Sequence, residues 1–191
     1  MEGDIEPMNE MQPNIIWLES VDSTNNEAKR RIDGLSDMSV IAAYEQTAGR
    51  GQREKIWLSD PGKNLTASII LKGEGPILNR VKPENQFVIS EMISKTMVNL
   101  LADYGVVARI KWPNDIYVGD KKICGILIEH TLRGLSIIHS IIGIGLNVNQ
   151  TEFDESLPNP TSLVLETKID QFDLNELLIR LVDMVKNAEI T

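Results

Sequence analysis

The chain has 191 residues, a formal net charge of −9 at pH 7 and a pI near 4.8. This charge excludes a general affinity for nucleic acid, because neutralising phosphates requires a basic face. No apolar run is long enough to cross a bilayer, and 42% hydrophobic residues suit a single soluble domain. The single cysteine, Cys124, excludes a disulfide framework within the chain. The acidic start lacks the basic segment of a signal peptide and favours a cytoplasmic protein.

Three segments predict helices. A Thr-x-x-Glu capping-box pattern at Thr24 opens a helix that runs to about Ile32. Apolar residues recur at helical spacing from about Glu84 to Tyr104, which is the strongest helical pattern in the chain. An Asp-x-x-Glu pattern at Asp173 caps a last helix whose leucines share one face.

Short apolar runs rich in β-branched residues predict the strands. A Gly-Asp pair at Gly119 predicts a hairpin turn between two of them. Strands and helices do not alternate strictly, so we predict a mixed α+β sheet rather than a doubly wound parallel one. One domain is expected over residues 14–191, after a flexible tail at residues 1–13. The predicted strands are residues 15–19, 40–44, 65–71, 106–111, 116–118, 123–129 and 135–145.

The most informative segment sets lysines and a carboxylate around a turn between apolar runs. Residues 111–115 read Lys-Trp-Pro-Asn-Asp, and residues 121–127 read Lys-Lys-Ile-Cys-Gly-Ile-Leu. The proline fixes φ and removes a backbone donor, so the segment is rigid and can aim its neighbours. A surface hairpin with solvated charges is the simpler interpretation. The rigid turn favours instead a site for a phosphate ester beside a buried organic ligand.

A second informative segment is a basic loop broken by glycines. Residues 46–53 read Gln-Thr-Ala-Gly-Arg-Gly-Gln-Arg and open a polar stretch, residues 46–63, that is long for a connection and is therefore predicted to be functional or mobile. Glycines let the backbone approach a ligand closely, and Arg50 and Arg53 can pair with phosphate or carboxylate oxygens. A solvated, flexible loop is the alternative. Two arginines flanking Gly51 favour anion binding.

With two further motifs, these segments resemble the catalytic domain of biotin protein ligases. The motifs are Asp-Ser-Thr-Asn at residues 22–25 and Gly-Ile-Gly-Leu-Asn at residues 143–147, and the resemblance covers roughly residues 15–150. It implies a class II aminoacyl-tRNA synthetase-like α+β fold, with a mixed sheet flanked by helices and a mobile ligand loop. It also implies that biotin and ATP give biotinoyl-5′-AMP and pyrophosphate. Biotin would then pass to a lysine of biotin carboxyl carrier protein or a similar carrier domain.

The resemblance assigns a role to each matching residue. Magnesium is implied to enter with ATP, with Asp115 as a candidate ligand and no fixed metal site in the protein. The residues implied to carry the chemistry are Arg50, Lys111, Asp115 and Lys122. Those implied to contact biotin are Ser23, Thr24, Asn25, Gln46, Arg50, Lys122, Gly125 and Gly143. Those implied to contact ATP or the adenylate are Arg50, Gln52, Arg53, Trp57, Lys111 and Asn147.

Taken singly, several of these residues have simpler interpretations. The Ser-Thr-Asn run is typical of a helix cap, a tryptophan is often a core residue, and strand glycines can serve close packing. His130 and His139 lack the spacing of metal ligands and are predicted to be structural. The order and spacing of four motifs together favour the ligand-binding interpretation.

The chain departs from the family pattern at several places. The family's Gly-Arg-Gly-Arg-x-Gly reads here as residues 49–54 with Gln52 in place of an arginine and Glu54 in place of a glycine. A biotin-binding or regulatory module with little turnover is therefore one alternative. A lipoate-protein ligase is another, although its glycine-rich motif is missing. The resemblance is to the monofunctional type without a DNA-binding domain, the family's small C-terminal β-barrel is expected to be absent, and sheet-edge dimerisation is common in the family.

Overall fold

The computed structural model describes residues 13–190. The flexible tail predicted at residues 1–13 therefore lies, except for its last residue, outside the described residues. Within the described part, no helix has the length and apolar character needed to cross a membrane. The elements, numbered in chain order, are β1 (Ile15–Val21), α1 (Thr24–Arg30), β2 (Val40–Gln46), β3 (Leu65–Lys72), α2 (Phe87–Asp103), β4 (Arg109–Lys111), β5 (Asp115–Val118), β6 (Lys121–Arg133), β7 (Ser136–Leu146), α3 (Leu163–Glu166) and α4 (Leu174–Lys186).

The seven strands of the described residues form one mixed sheet in the order β1-β2-β3-β7-β6-β5-β4. β1 and β2 are parallel and are connected through α1, whereas every other neighbouring pair is antiparallel. The turn between β5 and β6 contains Gly119 at a φ of 54°, a conformation that glycine adopts without steric cost. The predicted mixed α+β sheet and the hairpin at Gly119 are confirmed.

The helices differ from the sequence prediction mainly at their starts. Asp173 caps α4 as predicted, because its carboxylate accepts two backbone N–H groups of the first turn. The capping box predicted at Thr24 is wrong: Ser23 is the N-cap of α1, and no side chain caps this end. α2 begins at Phe87 rather than near residue 84, since the preceding residues form a separate 3₁₀ turn.

The strands lie where the apolar runs predict them, with shifted ends. β4 keeps only the last three residues of the predicted strand 106–111, and β6 continues to Arg133, past the predicted end at residue 129. α3 has no counterpart in the sequence prediction, because four residues carry no readable period.

Alternation of side chains along the strands gives the sheet two different faces. On β7, Ile142, Ile144 and Leu146 belong to the main hydrophobic core, to which α2 and α4 contribute. The alternate residues of β7 point the other way: Ile141 packs in a small cluster with α1, and Gly143 follows on the same side. We call these the core face and the site face.

Candidate functional site

A cavity of about 520 Å³ opens on the site face, beside the start of α1. This volume lies within the range of roughly 300–1,000 Å³ that is typical of small-molecule sites. The residues predicted from the two basic segments and the two flanking motifs converge on it from five strands, α1 and the β2–β3 loop. The predicted residues that line the cavity are Ser23, Thr24, Asn25, Gln46, Arg50, Gln52, Arg53, Trp57, Lys111, Asp115, Lys122, Gly125 and Gly143.

A buried polar network holds the start of α1 against the sheet. The backbone nitrogen and the hydroxyl of Thr24 lie 2.8 and 3.2 Å from Gln46 Oε1 at the end of β2. Ser68 Oγ on β3 lies 2.6 Å from Asn25 Oδ1 and 2.8 Å from Thr24 Oγ1. Thr24, Asn25 and Ser68 are almost fully buried, so these bonds replace those that water would supply. The network fixes Thr24, Asn25 and Gln46, which are among the residues that the resemblance assigns to biotin.

Glycines form the floor of the cavity, and each has a neighbour that requires its size. A Cβ added to Gly143 would lie 2.4 Å from Asn25 Oδ1, and one added to Gly145 would lie 2.4 Å from Cε2 of Trp57. A Cβ on Gly125 would lie 3.0 Å from Cζ3 of the same indole. The sequence predicts that Gly125 makes room for a ligand, whereas in this structure the Trp57 ring lies there. Within residues 13–190 the buried indole N–H of Trp57 meets no acceptor.

Lys122 reaches the cavity because of a β-bulge. Lys122 and Gly125 are three residues apart, so a regular strand would place them on opposite faces. The register of β5 against β6 shifts at this point, and Cys124 and the isoleucine before it are both fully buried. Such a shift re-aims one side chain. Lys122 thus lies on the site face, with Nζ 2.8 Å from Asp115 Oδ1 and 5.7 Å from the centre of the Trp57 ring.

Lys111 is held at the cavity by a residue that the sequence analysis misses. Its Nζ lies 3.3 Å from the hydroxyl of Tyr117 and 4.7 Å from the centre of that ring. An aromatic face attracts an ammonium group through its quadrupole. Tyr117 follows Asp115 by two residues on β5 and also lines the cavity, so strand alternation is the signal that would have found it.

The loop between β2 and β3 folds back on itself at the cavity wall. Gly51 donates its backbone N–H to Lys55 O at 2.7 Å, and Trp57 donates to Gly49 O at 3.0 Å. Arg53 has a φ of 54°, which is uncommon for a residue with a side chain. The long polar stretch is thus a turn built around the predicted anion-binding residues, and its mobility stays a prediction.

Arg50 makes a paired contact with Glu129 on β6. Its Nη1 and Nη2 lie 3.1 and 3.0 Å from the two carboxylate oxygens of Glu129, and Nη1 also donates to Asn26 Oδ1 at 2.9 Å. Burial pushes the Glu129 pKa up, but hydrogen bonds from Lys29, Arg50 and Asn25 outweigh it and hold the pKa below its ordinary value. Glu129 is therefore ionised at neutral pH. The sequence analysis misses this residue, although a charged side chain inside an apolar strand is a signal.

Positive charge dominates the wall of the cavity, although the chain as a whole is acidic. Among the wall residues that the structure describes, the acidic one is Asp115, which is already paired with Lys122. A cleft of one sign of charge attracts ligands of the opposite sign. The basic residues of the wall are Arg50, Arg53, Lys55, Lys111 and Lys122.

The remaining titratable groups near the sheet do not suit covalent catalysis. Complete burial raises the pKa of Cys124 to about 12, so the thiolate is not available as a nucleophile. Burial lowers the pKa of His130 and of His139, and His130 Nδ1 lies 2.7 Å from Ser140 Oγ. Among residues 13–190, no group of three or more His, Cys, Asp and Glu side chains is placed to hold a metal.

Comparison with known proteins identifies the family. The model described as the biotin/lipoate A/B protein ligase family matches residues 17–147, well over half of the chain. The chain belongs to this family. The match spans the motifs that were singled out in the sequence, so the resemblance inferred from them is confirmed.

Relatives and solved structures of the family agree with this assignment. The bifunctional ligase/repressor BirA of Escherichia coli is 32% identical over 172 residues, which are 90% of this chain and 52% of that protein. A biotin–[acetyl-CoA-carboxylase] ligase of Paracoccus denitrificans is 33% identical over 69% of this chain and 53% of its own length. The chain thus spans about half the length of these curated relatives. The biotin protein ligase of Aquifex aeolicus in complex with biotin and ATP superposes with a TM-score of 0.70, at 30% identity over 91% of this chain and 69% of that one.

Asn147 is the predicted site residue that the cavity leaves out. Its side chain is 5% exposed, and its Nδ2 donates to Thr161 O at 2.9 Å. The amide thereby links the end of β7 to the segment before α3. This contact is structural, and the adenylate contact that the resemblance implies for Asn147 stays a prediction.

Proposed function

We propose that this family member is a biotin protein ligase. In the proposed reaction biotin and ATP give biotinoyl-5′-AMP and pyrophosphate, and the biotinoyl group then passes to a lysine of a carrier domain. The observation that carries the proposal is the single cavity wall on which Arg50, Lys111 and Lys122 face the polar start of α1. A solved relative, the biotin protein ligase of Leishmania major in complex with biotinyl-5-AMP, superposes with a TM-score of 0.67 at 27% identity over 92% of this chain and 76% of that one.

The two ends of the cavity suit the two parts of the adenylate. The buried hydroxyl and amide groups of Thr24 and Asn25, beside the glycine floor, suit the polar ring of biotin. The basic side chains suit its carboxylate and the phosphate. Trp57, with a buried and unpartnered N–H within the described residues, supplies an aromatic surface that a nucleobase can contact.

The first step joins a carboxylate oxygen of biotin to the α-phosphorus of ATP, while the bond from that phosphorus to the bridging oxygen breaks and pyrophosphate leaves. Negative charge grows on the phosphate oxygens. Lys122 and Arg50 stabilise this charge, and Lys111, oriented by Tyr117, adds to the same field. Asp115 keeps the Lys122 ammonium aimed into the cavity at 2.8 Å.

Magnesium fits this donor set as a companion of ATP. In nucleotide sites Mg²⁺ commonly takes one or two carboxylates together with phosphate oxygens and water. Asp115 supplies a carboxylate on the cavity wall, and the hydrogen bonds it makes engage Oδ1. When bound, the ion would neutralise phosphate charge. Apart from magnesium, the groups proposed to act on the substrates are side chains of the protein itself.

The second step requires access for a protein lysine. Its neutral amine attacks the carbonyl carbon of the mixed anhydride, the carbon–oxygen bond to phosphate breaks, AMP leaves and the amine loses a proton. Exposed apolar side chains stand at the cavity mouth, where an incoming carrier would cover them: Ile56 is 68% exposed, Trp112 58% and Leu58 41%.

Isotope exchange between pyrophosphate and ATP tests the first step directly. We expect exchange that depends on biotin and magnesium and is absent with lipoate in place of biotin. Exchange that occurs with lipoate and not with biotin would overturn the proposal and identify a lipoate-protein ligase. Tight biotin binding without any exchange would leave a binding module. Addition of a biotin carboxyl carrier domain should then give a carrier heavier by one biotinoyl group, and no such product would overturn the transfer step.

A further inference from the structure

Glu129 is the point where three separate parts of the site meet. Its Oε1 accepts from Lys29 Nζ at 2.7 Å and from Arg50 Nη2 at 3.0 Å. Its Oε2 accepts from Asn25 Nδ2 at 2.9 Å and from Arg50 Nη1 at 3.1 Å. Alternation along β6 places Glu129 on the same face as Gly125, yet among the described residues Arg50 lines the cavity and Glu129 does not.

The contacts of Arg50 leave one edge of its guanidinium group available. The group has five N–H donors. Three of them are used: two on Glu129 and one on Asn26. The two that remain, the Nε–H and the second N–H of Nη2, are parallel and lie in the plane of the group along one edge, and neither meets an acceptor among the side chains that the structure describes. A pair of this geometry matches a carboxylate or phosphate in a bidentate way.

We propose that Glu129 is a positioning residue. It holds Nη1 and Nη2 of Arg50, so that the edge formed by the Nε–H and the second N–H of Nη2 binds the anionic group of the ligand, which is the biotin carboxylate or the α-phosphate. Glu129 itself does not touch the ligand. The same carboxylate holds Asn25, so it ties the β2–β3 loop and α1 to one strand. This inference rests on the proposed function for the identity of the anion, and on the geometry alone for the orientation of Arg50.

The energetics favour orientation over simple attraction. An ion pair this exposed contributes little to stability, because water screens it and both side chains lose freedom. A guanidinium that already has its bound orientation, however, loses less entropy when the ligand binds. The effect of removing Glu129 should therefore appear in ligand affinity rather than in thermal stability.

Arginine side-chain NMR of the whole chain tests the orientation without any activity. The Nε–H and Nη resonances of Arg50, assigned by their loss in Arg50→Lys, should show slow rotation about the Cζ–Nη bonds in the wild type. They should average in Glu129→Gln. Biotin should shift the Nε–H resonance of Arg50. Rapid averaging already in the wild type would overturn the inference.

A double-mutant cycle tests its use in the reaction. We expect Glu129→Gln to raise the KM for biotin in pyrophosphate exchange about tenfold, with a small change in kcat and in Tm. In an Arg50→Met background the same change should alter KM less than about twofold, because its effect passes through Arg50. Equal effects in both backgrounds would contradict positioning through Arg50.

A control variant separates this role from the loss of any ion pair. Asp103→Asn removes the negative charge from the ion pair of Asp103 with Arg180 Nη2, which is 2.7 Å long and formed by residues outside the cavity wall, and should leave KM unchanged. If the wild type shows no exchange at all, the proposed function fails while the NMR result still decides the orientation. Resolved Arg50 resonances that average in Glu129→Gln would then support the inference by themselves.

Discussion

The two faces of the sheet use the same strands for different purposes. On the core face, β7 presents Ile142, Ile144 and Leu146, which are buried among the side chains of α2 and α4. On the site face the same strand presents Gly143 and Gly145, above which lie the amide of Asn25 and the ring of Trp57. Neighbouring residues of β7 thus have opposite size requirements: a large apolar side chain on the core face and a glycine on the site face.

This difference shows how stability and ligand binding are separated in a single layer. The core face obtains its stability from apolar burial, where an unpartnered polar group costs free energy. The site face is open, charged and floored by glycines, so it contributes less apolar burial. The β-bulge before Gly125 shifts the alternation of side chains along β6, and it thereby places Lys122 on the site face instead of the core face.

The largest expected effect lies on the core face. Ile142→Ala leaves a cavity in the main hydrophobic core, and it should lower the free energy of unfolding by about 2–5 kcal/mol. Denaturant unfolding followed by circular dichroism measures it, with Ile142→Val as a milder control at about 0.5–1.5 kcal/mol. The KM for biotin of the folded protein should stay within about twofold of wild type. A change in KM as large as that from a site-face variant would break the separation between the faces.

Lys122→Ala tests the chemistry of the site face. We expect biotin-dependent pyrophosphate exchange to fall about 100-fold, which is about 2.7 kcal/mol of lost transition-state stabilisation. Tm should change little, because Lys122 contributes no core volume. Lys121→Ala is the matched control, since this neighbour is exposed and its Nζ lies 3.8 Å from Glu166. Equal losses in both variants would mean that the bulge does not select the working lysine.

The glycine floor should respond in a smaller and different way. Gly145→Ala places a methyl group against the Trp57 ring, which must move, and we expect the KM for ATP to rise about tenfold, or about 1.4 kcal/mol. Gly34→Ala is the control, because an added Cβ there meets nothing within 4 Å. Intrinsic tryptophan fluorescence reports the displaced ring. An unchanged KM together with changed fluorescence would show that the indole lies there without a role in nucleotide binding.

The smallest expected effect concerns acid. The pKa of Glu129 is lowered in the folded chain from an ordinary value near 4.5, so the unfolded chain takes up its proton first as pH falls. Its contribution to stability is complete above pH 4.5 and is lost as pH falls through the folded pKa. Glu129→Gln should therefore flatten the acid side of the stability curve measured by urea unfolding. An unchanged acid limb would show that Glu129 has no depressed pKa.

Much of the fold was readable in the sequence because local patterns and tertiary demands agree. The period of α2 and the cap at Asp173 are local signals, and both elements form as predicted. Thr24 shows the limit. Its hydroxyl fits a capping box, yet in the folded chain it points to Gln46, because burial against the sheet outweighs a local bond.

The site was readable as a set of motifs but not as a set of contacts. The basic segments and the Ser-Thr-Asn run were identified from the sequence, and the fold brings them to one cavity. Spacing could not show that Glu129 orients Arg50, because that pairing joins residues far apart in the chain, whereas strand alternation from Asp115 would have found the contact of Tyr117 with Lys111. For Asn147 the motif implies an adenylate contact, which stays a prediction, while the fold adds a hydrogen bond from its amide to Thr161 O.

Native mass spectrometry after incubation with biotin and magnesium-ATP tests the central claim most directly. We expect the chain to carry the added mass of one biotinoyl-5′-AMP, with pyrophosphate released in equal amount. That mass should be absent when lipoate replaces biotin and should be lost in Lys122→Ala while persisting in Lys121→Ala. A chain that carries biotin alone and releases no pyrophosphate would contradict the claim that this cavity joins biotin to AMP.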